Sequence, residues 1–348
     1  MIFSKKCLNN SPPLIFNDTY IDRVNSHKHL GVHLQCDLDW TTQIHHTCLK
    51  ANRKLSVLRR TQMLHRKTLD LLFKVTVRSV VDYALPLYGN TLKQSELARL
   101  EQLQYRGAKL ASGALHLTSK DNLNKDLGWE SVKKRIDFLG LCIFHKIHRQ
   151  ESRPLVRKCL PKWDTDKKHM TRSKGGYTPY PNLGHKFLNS FFPYISKLWN
   201  NLPVSIKILD VNEFKQQLKL ELKPTKFKAF SVGPKFSNSI LTRFRTGRTR
   251  LNVDKFTLGQ VVDPGCLCHH KYESSEHFLL DCFLYTVERQ NLFNQVEHYI
   301  PNFSKLTKKA KFSILTEGIN TTNPEFYYTN VRISLATQYF IVKTKRFL

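Results

Sequence analysis

The feature that most constrains this sequence is a group of cysteines and histidines between residues 266 and 282. Cys266 and Cys268 are one residue apart, so a tight turn can bring both sulfurs to one point. His277 and Cys282 follow at distances that let a loop return to the same point. Three thiolates and one imidazole form a closed set of four ligands, which is typical of a structural, tetrahedral zinc site. We call these four residues the Cys/His cluster and predict that they bind zinc as a stabilising, non-catalytic ion.

Two alternatives to this interpretation stay open at the level of sequence. His269 and His270 are rival ligands, and either could replace His277. The residues could also be scattered thiols and a surface histidine, because a one-residue spacing between cysteines is less usual in zinc sites than a spacing of two. The eight cysteines are dispersed along 348 residues, which favours a reducing compartment without a disulfide framework.

The charge of the chain predicts a polyanionic partner. The sequence contains 56 Lys and Arg against 27 Asp and Glu, a formal net charge of +29. Nucleic acid is the usual partner of such a basic protein, and a membrane surface is the second possibility. No apolar run approaches the ~18 residues of a spanning helix, and the first residues lack the apolar core of a signal peptide. We therefore expect an intracellular protein, nuclear or cytoplasmic, that binds nucleic acid and no membrane.

Hydrophobic periodicity predicts a mainly α-helical fold with short strands at its start. Strands are predicted at 14–16 and 20–24, with a turn at Asn17 and Asp18, and a further strand at 29–34. From Asp39 the apolar period becomes helical, and this residue is placed to cap the first helix. Helices are predicted to begin near residues 40, 66, 94 and 130, and others to span 211–222, 284–298 and 324–343.

Apolar spacing also predicts which helical faces are buried. The inward residues are expected to be Val287, Phe293, Val296 and Ile300 in one C-terminal helix, and Tyr328, Val331, Leu335, Tyr339 and Val342 in the last. The aromatic residues within 191–199 could stack on bases, but large aromatics beside the start of a helix are more typical of a core.

These patterns divide the chain into four predicted segments. Residues 1–35 form strands, 36–150 form a helical bundle, 151–185 form a basic linker, and 186–348 form an α-rich module stapled by zinc at 266–282. Because an isolated hairpin is only marginally stable, the strands of the first segment are expected to belong to something larger.

Two groups of basic residues are predicted to contact phosphates. The first, which we call the basic face, makes the polar side of the first helix positive and consists of Arg53, Lys54, Arg59 and Arg60. The second, which we call the arginine segment, surrounds a glycine shortly before the Cys/His cluster and consists of Arg243, Arg245, Arg248 and Arg250. Guanidinium groups can bind phosphates bidentately, although a charged run is often only a solvated surface.

The sequence offers no recognisable catalytic centre. It contains no glycine-rich phosphate loop, no Gly-x-Ser-x-Gly motif and no Asp-Asp dipeptide. Asp37 and Asp39 are a tempting pair of carboxylates, but before a helix they are better explained as a cap and as a favourable interaction with the helix dipole. Two-metal nucleotidyl transfer needs clustered carboxylates. We therefore expect no catalytic residue and no small-molecule substrate.

Several motifs occur along almost the whole chain in a specific order. They are His29-Leu-Gly-Val-His-Leu34, Asp37-Leu-Asp-Trp40, Lys50-Ala-Asn-Arg53, Leu58-Arg-Arg60, Val77-Arg-Ser-Val-Val-Asp-Tyr-Ala84, Leu100-Glu-Gln-Leu-Gln104, Asn189-Ser-Phe-Phe-Pro-Tyr194, Leu198-Trp-Asn-Asn-Leu-Pro203, Phe214-Lys215, Leu241-Thr-Arg-Phe-Arg-Thr-Gly-Arg-Thr-Arg-Leu-Asn252, and the Cys/His cluster with Arg289. In this order they resemble non-LTR (LINE-type, jockey-like) retrotransposon reverse transcriptases. Many relatives carry Gly-His where this chain has Gly247-Arg248, so a role of that histidine has no counterpart here.

The resemblance implies a particular part of such a polyprotein. It identifies 1–35 with the last strands of the polymerase palm, 36–150 with the helical thumb, and the C-terminal segment with a zinc-bearing tail. The family is an RNA-directed DNA polymerase whose aromatic-x-Asp-Asp motif is missing from this sequence. The resemblance therefore implies a C-terminal fragment that grips RNA, an RNA–DNA hybrid or target DNA without its own catalytic site.

Two alternatives to a non-catalytic fragment are also compatible with the sequence. The chain could come from a truncated gene model of a full reverse transcriptase, so that the polymerase activity belongs to a longer protein. It could also be a non-catalytic interaction or structural protein that zinc stiffens, with its charge serving solubility.

Overall fold

Helices account for most of the chain in this computed structural model, and short strands lie near its N-terminal end. The structure describes residues 14–22, 24–149, 154–164, 176–222, 227, 229–320 and 322–348. The predicted class, mainly α with short N-terminal strands, is confirmed. Within these ranges, no helix combines the length and the apolar composition that crossing a lipid bilayer demands.

The strands form three antiparallel pairs of sequential neighbours. They are β1 (Leu14–Phe16), β2 (Thr19–Ile21), β3 (Ser26–His29), β4 (Val32–Gln35), β5 (Trp163–Asp164) and β6 (Gly176–Tyr177). Asn17 and Asp18 have φ angles of 48° and 55°, as a two-residue type I′ turn requires, so the predicted hairpin is confirmed. The single strand predicted at 29–34 is wrong, because the chain turns at Leu30 and Gly31 and pairs β3 with β4.

The helices follow one another along the rest of the described chain. They are α1 (Thr41–Arg60), α2 (Arg66–Leu72), α3 (Ser79–Asp82), α4 (Leu85–Tyr88), α5 (Gln94–Ser112), α6 (Lys120–Leu127), α7 (Val132–His148), α8 (Pro154–Arg157), α9 (His185–Leu188), α10 (Phe191–Asn200), α11 (Val204–Lys207), α12 (Val211–Leu222), α13 (Lys235–Thr246), α14 (Asn252–Thr257), α15 (Thr286–Tyr299), α16 (Lys308–Glu317) and α17 (Tyr327–Lys343). Two π-helical turns, Phe73–Arg78 and His277–Asp281, interrupt this pattern. Short 3₁₀ turns span Gly89–Thr91, Ala229–Ser231, Phe283–Tyr285, Phe303–Lys305 and Pro324–Phe326.

Two compact units are built from segments that alternate along the chain. Unit 1 comprises Met1–Ser56, Val75–Gln104 and Ser131–Lys219, and unit 2 comprises Val57–Lys74, Tyr105–Glu130 and Leu220–Leu348. The predicted segment 36–150 contributes to both units, and the four predicted domain ranges stay predictions. Part of the predicted linker, 151–153 and 165–175, lies outside the described residues.

The core of unit 1 forms around Trp199 of α10, whose side chain is fully buried. Its ring centroid lies 5.4 Å from that of Phe144 in α7 and 5.8 Å from that of Phe214 in α12. Tyr177 of β6 is also buried and packs edge-on against Phe144 at 5.3 Å. The prediction that the aromatic residues at 191–199 belong to a core is confirmed for Trp199 and Phe191.

The core of unit 2 includes the π-helical turn that directly precedes Cys282. Phe278 of this turn lies 5.6 Å from Phe244 in α13 and 5.5 Å from Phe340 in α17, measured between ring centroids. All three phenylalanines are at most 2% exposed. Buried aromatic pairs of this kind contribute strongly to stability. The turn that carries His277 is therefore fixed to α13 and α17 by the packing of Phe278.

The last helix turns outward four of the five apolar residues that periodicity predicts to be buried. They are Tyr328, Leu335, Tyr339 and Val342, whereas the buried side of α17 carries Ile333, Phe340 and Ile341 together with the polar residues Asn330, Ser334, Thr337 and Gln338. Val287 of α15, also predicted to be buried, is 72% exposed. The inward assignments of Val287, Tyr328, Leu335, Tyr339 and Val342 are therefore wrong, whereas Val296 is fully buried as predicted and Phe293 and Ile300 pack, partly buried, against the same core.

The reversal of α17 has a physical cause in the partners of its polar side chains. Gln338 donates from Nε2 to the carbonyl oxygen of Val232 at 2.9 Å. Asn330 donates from Nδ2 to the carbonyl oxygen of Ile319 at 2.8 Å and accepts at Oδ1 from its N–H at 2.7 Å. Buried polar groups with such partners avoid the desolvation penalty of unsatisfied groups, so these residues can replace apolar ones inside the unit.

Candidate functional site

A tight turn places Cys266 and Cys268 close together. The N–H of His269 donates to the carbonyl oxygen of Cys266 at 2.9 Å, and the N–H of Cys266 donates to that of His270 at 3.0 Å. His269 takes a left-handed backbone conformation with φ 66°, which lets the chain reverse. Because the chain reverses here, Cys266 and Cys268 can direct both sulfurs toward one point although only Leu267 separates them.

The π-helical turn supplies the other two members of the cluster. The N–H of Cys282 donates to the carbonyl oxygen of His277 at 2.8 Å, five residues earlier. In an α-helix, five steps of ~100° would turn these two side chains about 140° apart. The wider i→i+5 turn brings them to the same side, and Ser274 supports its start by accepting from the His277 N–H at 3.1 Å.

The four predicted ligands are brought together by these two turns. Their ligand atoms all lie within 4.8 Å of one another, so the cluster could hold a metal ion. The sulfurs of Cys266 and Cys282 are 3.7 Å apart, and the Cys268 sulfur is 3.2 Å from His277 Nε2. His277 is 5% exposed and Cys282 is fully buried, whereas Cys266 and Cys268 are half-buried.

The two rival histidines lie outside this set. His269 and His270 are both exposed, and neither belongs to the group of converging ligand atoms. The His270 ring stacks on that of His277 at 4.1 Å between centroids, and its Nδ1 lies 2.9 Å from the carbonyl oxygen of Tyr272. His270 therefore covers the ligand histidine instead of replacing it.

Burial opposes ionisation of two of the three thiols in the cluster. It raises the pKa of the Cys282 thiol to about 12 and raises that of Cys266. Burial also acts upward on Cys268, but hydrogen bonds from the His270 backbone and from the neighbouring thiols lower its pKa. A cation at the centre would offset the cost of burying three thiolates, because metal ligation displaces their protons.

Two buried charged residues, Glu273 and Arg289, form hydrogen bonds that support the chain around the cluster. Glu273, which is 2% exposed, accepts two hydrogen bonds from Arg346, at 2.5 Å from Nε and 2.6 Å from Nη2. It also accepts from the N–H of Asn252 at 2.8 Å. Arg289 is buried and donates to the carbonyl oxygen of Cys282. Sequence reasoning missed the Glu273–Arg346 pair because its members are 73 residues apart and no spacing rule connects them.

The pair of acidic residues before α1 has a structural role. Asp39 accepts from the N–H of Thr41 at 2.9 Å and forms an ion pair with Lys93. Asp37 accepts from the N–H of Asp39 at 2.9 Å. Burial alone would raise the pKa of Asp39, but the hydrogen bonds from Lys93 and Thr41 outweigh it and lower that pKa. These contacts are those of a helix cap.

The basic face lies on the solvent side of α1. Its four side chains are exposed, and none has an ion pair or a hydrogen bond within the described residues. Repulsion between like charges is also present near Arg59. The pKa of Lys109 is lowered first by burial and then by Arg106 and Arg59, so an anion bound here would relieve that repulsion.

The arginine segment divides into residues that face the protein and residues that face solvent. Gly247, with φ 73°, ends α13 as a left-handed cap. Arg245 forms an ion pair with Asp126, 2.5 Å from Nε to Oδ1, and both side chains are nearly buried. Arg243 donates to the carbonyl oxygen of Gly113 at 3.3 Å, and burial lowers its pKa to about 10. Arg248 is half-buried and Arg250 is exposed, so these two are the members of the segment most accessible to a ligand.

Comparison with protein-family models, with curated proteins and with solved structures finds no match for this chain. Its function is therefore inferred from the geometry and charge of its own residues.

Proposed function

We propose that this chain binds nucleic acid through the phosphate backbone and carries no catalytic site of its own. The observation that carries this proposal is the composition of α1. Its 20 residues include five Lys and Arg and no Asp or Glu. These five cations lie between residues 50 and 60, a stretch of ~15 Å along the helix, so several phosphates of one duplex are in reach of them. Basic side chains without internal partners are free to neutralise phosphates, and this displaces the cations condensed on the nucleic acid.

The Cys/His cluster binds a structural zinc ion in this proposal. Two Zn–S bonds of ~2.3 Å at a tetrahedral angle separate their sulfurs by about 3.8 Å, close to the 3.7 Å between the Cys266 and Cys282 sulfurs. Thiolate and imidazole ligands favour zinc over hard cations. Because all four positions are filled by protein atoms, the ion would join the 266–268 turn to the π-helical turn and would not act on a substrate.

The resemblance to non-LTR retrotransposon reverse transcriptases supports the same function. We infer that the chain corresponds to the thumb and zinc-bearing tail of such an enzyme and that its ligand is an RNA–DNA hybrid, RNA or target DNA. Polymerisation would require the aromatic-x-Asp-Asp motif that this sequence lacks. The chain would therefore grip nucleic acid, and its binding would be steeply dependent on salt and mostly blind to base sequence.

The test is a salt series of binding to an RNA–DNA hybrid, with the zinc content measured in the same sample. The wild type should bind at low salt and contain about one zinc ion per chain. Replacement of the four residues of the basic face by Gln should lower the slope of log K against log salt by about 3–4, since each lost phosphate contact accounts for ~0.9.

A matched control removes the same charge elsewhere. The control variant replaces four exposed lysines outside α1 by Gln: Lys197, Lys219, Lys305 and Lys309. Its slope should equal that of the wild type. Absence of binding by the wild type at low salt would refute the proposal. If the basic-face variant and the lysine control had the same slope of log K against log salt, α1 would not be the contact surface.

A further inference from the structure

The exposed faces of α15 and α17 form a groove that neither the zinc site nor the basic face explains. We call it the tyrosine groove, and its characteristic lining residues are Asn291, Gln295, Tyr299, Arg332, Tyr339 and Lys343. Gln295, Ala336 and Tyr339 line both halves of the groove, so the halves are continuous. The half beside Tyr299 has a volume of about 590 Å³, within the ~300–1,000 Å³ of typical ligand sites. A nucleobase therefore fits inside it.

The side chains of this groove are available to a ligand. Tyr339 is 55% exposed and Tyr299 is 38% exposed. The amides of Asn291 and Gln295 point outward and make no hydrogen bond within the described residues. Leu335 and Tyr339 of α17 line this groove, while Ile333 and Ile341 on the other side of the helix pack into the core, so the exposure of these two residues is a consequence of the packing.

The chemistry of the lining fits a polyanion with aromatic bases. Aromatic rings stack on nucleobases with little dependence on sequence, and amides can bond to base edges. The ammonium group of Lys343 lies 5.2 Å from the ring centroid of Tyr339, so a stacking surface and a cation are adjacent. The groove is lined by two cationic side chains, Arg332 and Lys343, and by one carboxylate, Glu288. This positive balance favours nucleic acid over an apolar protein helix as the occupant.

We infer that the tyrosine groove binds single-stranded nucleic acid, with bases stacked on Tyr299 and Tyr339 and phosphates at Arg332 and Lys343. The inference rests on the proposed function and adds a second mode of contact to it. The basic face reads only the backbone and suits a duplex. Tyrosine rings need unpaired bases, so the groove would select a single strand.

The test compares two probes in the same salt series: oligo(dT) of about 12 nucleotides and an RNA–DNA hybrid duplex. Tyr339→Ala should weaken binding to oligo(dT) by roughly 5- to 150-fold, which corresponds to the ~1–3 kcal/mol of one stacked base. The salt slope should not change, since no phosphate contact is removed. Tyr339→Phe keeps the aromatic ring and should retain the wild-type affinity.

Controls separate this inference from the proposed function. Tyr328→Ala removes a tyrosine of α17 that is 79% exposed and lies outside the groove, and it should bind oligo(dT) like the wild type. If the wild type bound the hybrid but not oligo(dT), the inference about the tyrosine groove would be overturned and the proposed function would stand. No binding to either probe would overturn both. Undiminished oligo(dT) binding by a Tyr299→Ala/Tyr339→Ala double variant would also overturn the inference, because the oligonucleotide would then be bound elsewhere.

Discussion

Replacement of Arg245 by Ala tests most directly how the arginine segment is used. The Arg245 guanidinium lies 2.5 Å from Asp126 Oδ1 and also donates to Thr242 at 2.8 Å. The side chains of the ion pair are 6% and 5% exposed. Asp126 Oδ2 is buried without a hydrogen-bond partner in the described structure, so loss of the arginine would leave a buried carboxylate that only the electrostatic attraction of Arg66 offsets. Breaking a buried ion pair in this way costs ~3–5 kcal/mol.

This cost can be converted into a thermal shift. For domains of ~150–250 residues, each kcal/mol lowers the melting temperature by ~2–4 °C, so we expect a decrease of roughly 6–20 °C for Arg245→Ala. Circular dichroism measures the melting temperature, and the salt series on the RNA–DNA hybrid measures the phosphate contacts. Because Arg245 is already occupied inside the protein, the salt slope of this variant should equal that of the wild type.

Arg250→Ala is the matched control from the same segment. Arg250 is exposed, so its loss should leave the melting temperature unchanged and lower the salt slope by ~0.9 if it contacts one phosphate. The double variant Asp126→Leu/Arg245→Met removes both charges and should be more stable than Arg245→Ala. A melting temperature of Arg245→Ala equal to that of the wild type would refute the argument. A lower stability of Asp126→Leu/Arg245→Met than of Arg245→Ala would also refute it.

Two further predictions concern the metal and the cap of α1. Cys266→Ser and Cys282→Ser should each release zinc and lower the melting temperature, because structural zinc contributes folding free energy; Cys159→Ser, an exposed thiol outside the cluster, should do neither, and full zinc content in both ligand variants would rule out the ligand set. Asp39 has a lowered pKa in the folded protein, through hydrogen bonds from Lys93 and Thr41 that outweigh burial. Its stabilisation is therefore present above the unfolded pKa of ~3.9 and lost as the pH falls through the folded value. Denaturation at a series of acidic pH values should show the wild type losing stability more steeply than Asp39→Asn below about pH 4, and parallel curves would contradict the capping role.

Local patterns are sufficient to predict much of the secondary structure and the four residues whose ligand atoms converge. Helix α1 was predicted from Ile44, Cys48 and Ala51, which are all buried, because a period of 3.6 residues depends only on neighbouring positions. The four ligands were predicted because thiols and imidazoles with this spacing have few other uses. The choice of His277 over His269 and His270 needed the structure, since only the π-helical turn decides which ring meets the sulfurs.

The sequence by itself determined a basic, mainly helical chain with one converging set of soft ligands, since composition, helical period and ligand spacing are properties of near neighbours. Tertiary structure alone decided which of its polar groups are used internally. It pairs Arg245 with Asp126 across 119 residues and Glu273 with Arg346 across 73. It also gives Gln338 a partner 106 residues away, so that α17 can bury polar residues beside Ile333 and Phe340 and leave tyrosines facing solvent. The physical reason is that a buried charge or amide is stable only beside a specific partner, and partners so distant in sequence meet only when the chain is folded.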